Sequence, residues 1–141
     1  MKKLSIIISS IIVLFLSTSQ AQMISIKHIL ENVDSHIVKI SVEELKAKME
    51  SDSLFLLIDL RTKEEYLAGH IKNSIWIPRG FLEFKIQKVT DEPESEIIVY
   101  CKGGLRSSLS AHSLMQMGYK NVSNLEGGLR EWVFMGHSIY N

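Results

Sequence analysis

A single cysteine, Cys101, stands in the stretch I-I-V-Y-C-K-G-G-L-R-S (residues 97–107), with Lys102 beside it and Arg106 five residues on. A thiol is nucleophilic as its thiolate, and the thiolate is favoured beside cations and at a helix N-terminus. Gly103 and Gly104, between the two cations, adopt backbone angles that other residues resist. The loop can therefore turn its N–H groups inward to make an anion-receiving cup. Charge held or developed on sulfur would be stabilised there. A lone cysteine is often no more than a small buried apolar residue. Here the glycines, the cations and the position after an apolar run favour chemistry.

The elements around this loop are legible from pattern. Ile97-Ile98-Val99-Tyr100 follows the polar turn Asp91 to Glu96 and reads as a buried strand. Ser107 and Ser108 open a helical pattern through Leu109, Ala111, Leu114 and Met115, closed by Gly118. Upstream, Ile37–Ile40 is a candidate first strand, and Ser41 with Glu44 spells a capping box for a helix to about Met49. The apolar run Leu54 to Leu60 suits a strand buried on both faces and contains Asp59 near its end. Thr62 with Glu65 spells a second capping box for a short helix Lys63–Ala68. Ile75-Trp76-Ile77 is a strand stopped by Pro78, and Phe81 to Val89 reads as helical. A strand Val122–Leu125 and a helix Leu129–Met135 complete an alternation that argues for a parallel sheet of about five strands with helices on both faces. Ligands of such sheets sit beyond the carboxyl ends of the strands. Asp59, Cys101 and Glu126 fall there.

The pattern C-x-x-G-x-R-S at Cys101 to Ser107 resembles the active-site loop of rhodanese-like sulfurtransferases. Asp59-Leu60-Arg61, then Glu64 to Ile71 and Ile77-Pro78, is similar to that family's D-x-R…E-[FY]-x-x-G-H-I…I-P block. Gly118-Tyr119, Asn121-Val122, Leu125-Glu126-Gly127-Gly128 and Trp132 are similar to its ending. The three blocks lie in order between about residues 38 and 135. The resemblance implies a single rhodanese-like α/β domain over residues 37–141. It also implies a thiosulfate sulfurtransferase type of activity, in which Cys101 becomes a persulfide and passes its sulfur to a thiol or to cyanide. Gly103, Gly104, Leu105 and Ser107 would then shape the loop that stabilises the persulfide, with Asp59 as an orienting acceptor. Lys102, Arg106 and Arg61 are the substrate-binding candidates. Two of these stay open: Arg106 either binds the anionic donor or pins the loop, and Lys102 either meets the donor or is simply solvated. His70 fits a structural place in the Gly-His-Ile context.

Two rival readings follow from the same residues. Phosphatases and arsenate reductases also set Cys and Arg on one anion loop, but with five residues between them. Here there are four, Lys102 to Leu105, and the smaller ring suits a single sulfur better than a tetrahedral phosphate. The other rival is a non-enzymatic module of the same fold that carries sulfur or binds a partner.

The N-terminus reads as a signal peptide, residues 1–21. Lys2-Lys3 precede an apolar run from Leu4 to Leu16, and Ser19-Gln20-Ala21 offers the small residues a signal peptidase reads. The run is short against the ~20 residues of a membrane span. Export to the periplasm, with the mature chain starting at Gln22 and free of the membrane, is the expectation. Loss of Lys2 and Lys3 leaves 14 basic residues against 16 acidic, a net charge of −2. That balance gives no footprint for nucleic acid. One cysteine cannot make an internal disulfide, and an exported free thiol is a liability unless it is used. Residues 22–36 read as an amphipathic arm through Ile26, Ile29, Leu30 and Val33. His28 and His36 lack a third ligand, so no metal is expected, and no cofactor. The partners expected are a small-molecule sulfur donor and a thiol acceptor, a protein thiol included.

Overall fold

The computed structural model describes residues 23–51 and 53–141. Residues 1–21, and with them the signal-peptide expectation, lie outside that range. Helix α1 (Ile26–Asp34) leads into β1 (Val38–Ile40), α2 (Val42–Glu50), β2 (Leu56–Asp59), α3 (Lys63–Leu67) and β3 (Ile75–Trp76). The chain continues through α4 (Leu82–Lys85), β4 (Glu96–Tyr100), α5 (Leu105–Gln116), β5 (Asn121–Leu125) and α6 (Gly128–Phe134). Both capping boxes form. Ser41 accepts from the Glu44 amide while the Glu44 carboxylate accepts from the Ser41 amide, and Thr62 and Glu65 repeat the exchange. Each box satisfies two amides that a helix start would otherwise leave without partners.

The strands form one parallel sheet in the order β1-β5-β4-β2-β3, with β4 at its centre. Alternate β4 side chains go to opposite faces, as the two-residue period of a strand requires. Ile97 and Val99 pack with Val33 of α1, Leu82 of α4, and Ala111 and Leu114 of α5. Ile98 and Tyr100 pack with Val42 and Leu45 of α2 and with Leu129 and Trp132 of α6. Burial of both faces is why the strand is an unbroken apolar run rather than an alternating one.

Two segments differ from expectation. Phe81–Val89 is not one helix but the single turn α4 between two 3-10 turns, Arg79–Phe81 and Ile86–Lys88. Phe81 and Phe84 are exposed and only Leu82 and Ile86 are buried, so two anchors four residues apart hold the segment. Helix α5 starts at Leu105, two residues before the serines, because Gly104 caps it in the left-handed conformation (φ +96°). The arm is continuous with the domain: α1 lies on α5, and Val33 and Ile37 enter the core. Among the described residues no helix is long and apolar enough to cross a membrane.

Candidate active site

Cys101 follows β4 directly and is only 2% exposed. Its Sγ accepts from the Gly104 amide at 3.2 Å and lies 3.4 Å from the Ser107 hydroxyl, whose single proton is shared between the sulfur and the Gly104 carbonyl at 3.0 Å. The left-handed Gly104 is what folds the chain back so that its own amide meets the sulfur three residues earlier. Burial pushes the thiol up. The Ser107 hydroxyl and the amides of Gly103, Ser107 and Gly104 outweigh it and leave the thiol below its usual value. The first turn of α5 ends on this loop and adds the positive end of its dipole. A thiolate or a persulfide anion is thus favoured without a neighbouring base.

The loop is backed by α6. The amides of Leu129 and Arg130 donate to the Cys101 and Lys102 carbonyls at 2.9 and 3.0 Å. Gly128 (φ +60°) makes this approach possible, since a Cβ there would run into the Cys101 carbonyl oxygen. Helix α6 therefore fixes the loop's backbone from behind while the sulfur faces the amide cup.

Three cations surround the loop in different states. Arg106 donates from both terminal nitrogens to Glu65 of α3, at 3.1 and 3.2 Å. The hydrogen bond from Arg106, set against burial, holds the Glu65 carboxyl below its usual value. The guanidinium is in turn stabilised by Glu65 and by the sulfur of Cys101. Lys102 is exposed and makes no ion pair among the described residues. Nothing in the sequence pattern marks Arg130. Its guanidinium carbon lies 3.8 Å from where a Cβ on Gly103 would stand, placing a further cation beside Gly103 of the loop. Leu105 is the exposed apolar residue of the rim.

Arg61 and Asp59 play different parts from those expected. Arg61 is buried and its Nε and Nη2 are spent on the Asp59 carboxylate, with Nη2 also on the Gly69 carbonyl at 2.8 Å. Asp59 is fully buried and accepts from the Arg61 amide as well, but has no hydrogen bond to residues 101–107. The pair therefore ties the end of β2 to the Gly69 turn, rather than offering a free arginine to a donor. Removing one partner from a buried pair of this kind costs about 3–5 kcal/mol, because a charge is left alone in the interior. Tyr100, pushed far above its usual value by burial and by the Asp59 charge, stays a neutral phenol that donates to Ser74 at 3.0 Å. His70 stacks on Tyr66 at 3.9 Å, a structural place.

A five-stranded parallel sheet with a cysteine cup at the end of its central strand defines the class: an α/β domain that presents a thiol in a ring of backbone N–H groups. The chain belongs to the rhodanese-like domain family, whose model matches residues 41–134. It is similar to a Bacillus subtilis protein called "Putative sulfur carrier protein YrkF", with 35% identity over 106 residues, 75% of this chain and 56% of that one. A sulfurtransferase of Allochromatium vinosum is 30% identical over 101 residues, 72% of this chain and 92% of its own. Among solved structures, RPA3614 of Rhodopseudomonas palustris, described as of unknown function and a possible tyrosine phosphatase, superposes with a TM-score of 0.75 and 31% identity. The match covers 88% of this chain and all of that one. The chain spans about half the length of YrkF and a quarter of a similar tRNA uridine(34) hydroxylase of Hamiltonella defensa.

Proposed function

We propose that this protein is a sulfurtransferase that moves a sulfane sulfur from thiosulfate or a similar donor to a thiophilic acceptor through a persulfide on Cys101. The carrying observation is the Cys101 sulfur seated at the end of β4 with the Gly104 N–H directed at it and the Ser107 hydroxyl within reach at 3.4 Å. In the first displacement the thiolate attacks the outer sulfur of thiosulfate. The bond between the two donor sulfurs breaks and its electron pair departs on sulfite. In the second, an acceptor thiolate attacks the terminal sulfur and Cys101 leaves as the thiolate it was. Cyanide as acceptor gives thiocyanate. With the thiol ionised at the start, neither step needs a proton moved by the protein, and the covalent intermediate implies ping-pong kinetics.

Lys102 and Arg130 suit the sulfonate of an anionic donor, while Arg106 is held by Glu65 at the loop edge. Four residues between Cys101 and Arg106 argue against a phosphatase, despite the description attached to RPA3614. The likeness to YrkF favours a second reading, a persulfide carrier that loads once and waits for a partner. Cyanide-dependent thiocyanate formation separates the two. Many turnovers per Cys101 support the enzyme, and one equivalent followed by a stop supports the carrier. Cys101→Ser should abolish both.

A further inference from the structure

A chain of hydrogen bonds runs from the N-terminal arm to the cysteine loop. Asp34, at the end of α1, accepts from the Ser108 hydroxyl at 2.7 Å and pairs through its other oxygen with Lys39 at 3.3 Å. Ser108 is buried on the inner side of α5 and accepts from the Asn124 Nδ2 at 2.8 Å. The same Nδ2 donates to the Gly104 carbonyl at 3.2 Å. The Gly104 amide is the group on the Cys101 sulfur.

The direction of this chain is fixed by chemistry. A carbonyl oxygen only accepts, so the amide of Asn124 must present its NH₂ to Gly104. Ser108 then receives one of those protons and gives its own to a carboxylate, a charge-assisted bond at the far end. The arrangement leaves Asn124 Oδ1 buried with no partner. A buried unsatisfied acceptor costs about 1–3 kcal/mol. Leucine or valine on this buried strand would avoid that cost, so what Asn124 supplies is a hold on Gly104 from β5, added to those of the Ser108 amide at 2.9 Å and the Ser107 hydroxyl at 3.0 Å.

We infer that α1 belongs to the catalytic apparatus: Asp34, Ser108 and Asn124 are positioning residues that hold the Gly104 carbonyl and so keep Gly104 in the left-handed conformation (φ +96°) that turns the N–H of its preceding peptide onto the Cys101 sulfur. Asp34 lies outside the segment matched by the family model, which begins at residue 41. The inference rests on Cys101 working as a thiolate. The charged groups around the sulfur are Arg106 with Glu65 of α3, the buried Arg61–Asp59 pair from β2, Lys102 in the loop and Arg130 of α6. Among the described residues none of them is hydrogen-bonded or ion-paired to Asp34, Ser108 or Asn124.

The test is the pH dependence of Cys101 alkylation in the full chain, read beside the melting temperature. Removing the Asp34 charge would by itself favour the thiolate and speed alkylation on the acid side of the titration. Loss of aim predicts the opposite sign. Asp34→Ala should slow alkylation there by about threefold, as expected for a modest rise in thiol pKa. Asp34→Asn, which keeps the acceptor oxygen, should restore the parent rate. Asn124→Leu should slow alkylation similarly while holding or raising the melting temperature, since the orphaned oxygen goes with the amide. Asp34→Ala and Asn124→Leu proteins that melt differently but alkylate like the parent would overturn the inference, as would faster alkylation in Asp34→Ala. Alkylation needs no sulfur donor. A failure of sulfur transfer in the parent therefore leaves this result readable.

Discussion

Glu65 and Arg106, one on α3 and one on α5, meet through both guanidinium nitrogens at 3.1 and 3.2 Å, while the same carboxylate caps α3 by accepting from the Thr62 amide. One side chain thus closes a helix start and fixes the arginine at the edge of the sulfur cup. Glutamine at this position still completes a capping box, so Glu65→Gln separates the two roles. The pair is partly exposed, and its loss should lower stability by no more than about 1 kcal/mol. Sulfur transfer should fall several-fold, because Arg106 no longer pins the edge of the sulfur loop to α3. Because the folded carboxyl lies below its usual value, the pair's contribution is present above the ordinary glutamate range. It is lost as pH falls through the folded value. Denaturant unfolding of parent and variant should therefore converge in acid.

The Cys101 thiol titrates below its usual value, so alkylation should reach half its maximum rate at a pH under the ~8.5 of a free thiol. Ser107→Ala removes the hydrogen bond that lowers it most and should shift the profile upward. By linkage, stability gained from this group appears as pH rises from the folded thiol value and is complete above the unfolded one. Cys101→Ser should lack that rise. The alkylation profile and urea titrations across the same pH range check both.

Gly128→Ala places a methyl group against the Cys101 carbonyl oxygen at a left-handed backbone position. Strain and clash together should cost about 2–4 kcal/mol. The loss should be visible in urea unfolding, and any folded fraction should transfer sulfur poorly because the loop's backbone has moved.

Much of this was legible because it is local. The boxes at Ser41–Glu44 and Thr62–Glu65 span three residues each, and Cys101 directly follows four β-favouring residues. What sequence hid depends on distance or on side-chain direction. The D-x-R spacing gives no sign that Arg61 folds back onto Asp59 and is consumed there. Ser107 and Ser108 look like a helix start, yet Gly104 is the cap and the serines turn inward, one to the sulfur and one to Asp34 and Asn124. Arg130 reaches the loop only because Gly128 lets α6 close against it. The run Phe81–Val89 has helical spacing, but two buried anchors cannot hold more than a turn.

Export is proposed from Lys2-Lys3, the apolar run Leu4–Leu16 and Ser19-Gln20-Ala21. N-terminal sequencing of protein recovered from the producing cells should give Gln22 as the first residue, in the soluble fraction outside the cytoplasm. Recovery of an intact Met1 in a membrane fraction would contradict it.

Sulfur transfer by this protein requires one covalent event at Cys101, and the mass of the intact protein reports it. Fully reduced protein given thiosulfate should gain the mass of one sulfur atom, and cyanide should remove it. Cys101→Ser should fold normally and gain nothing, since a hydroxyl in the same place is far too weak a nucleophile at neutral pH. An unchanged mass across a panel of sulfane donors, with Cys101 still open to alkylation, would contradict the sulfurtransferase reading.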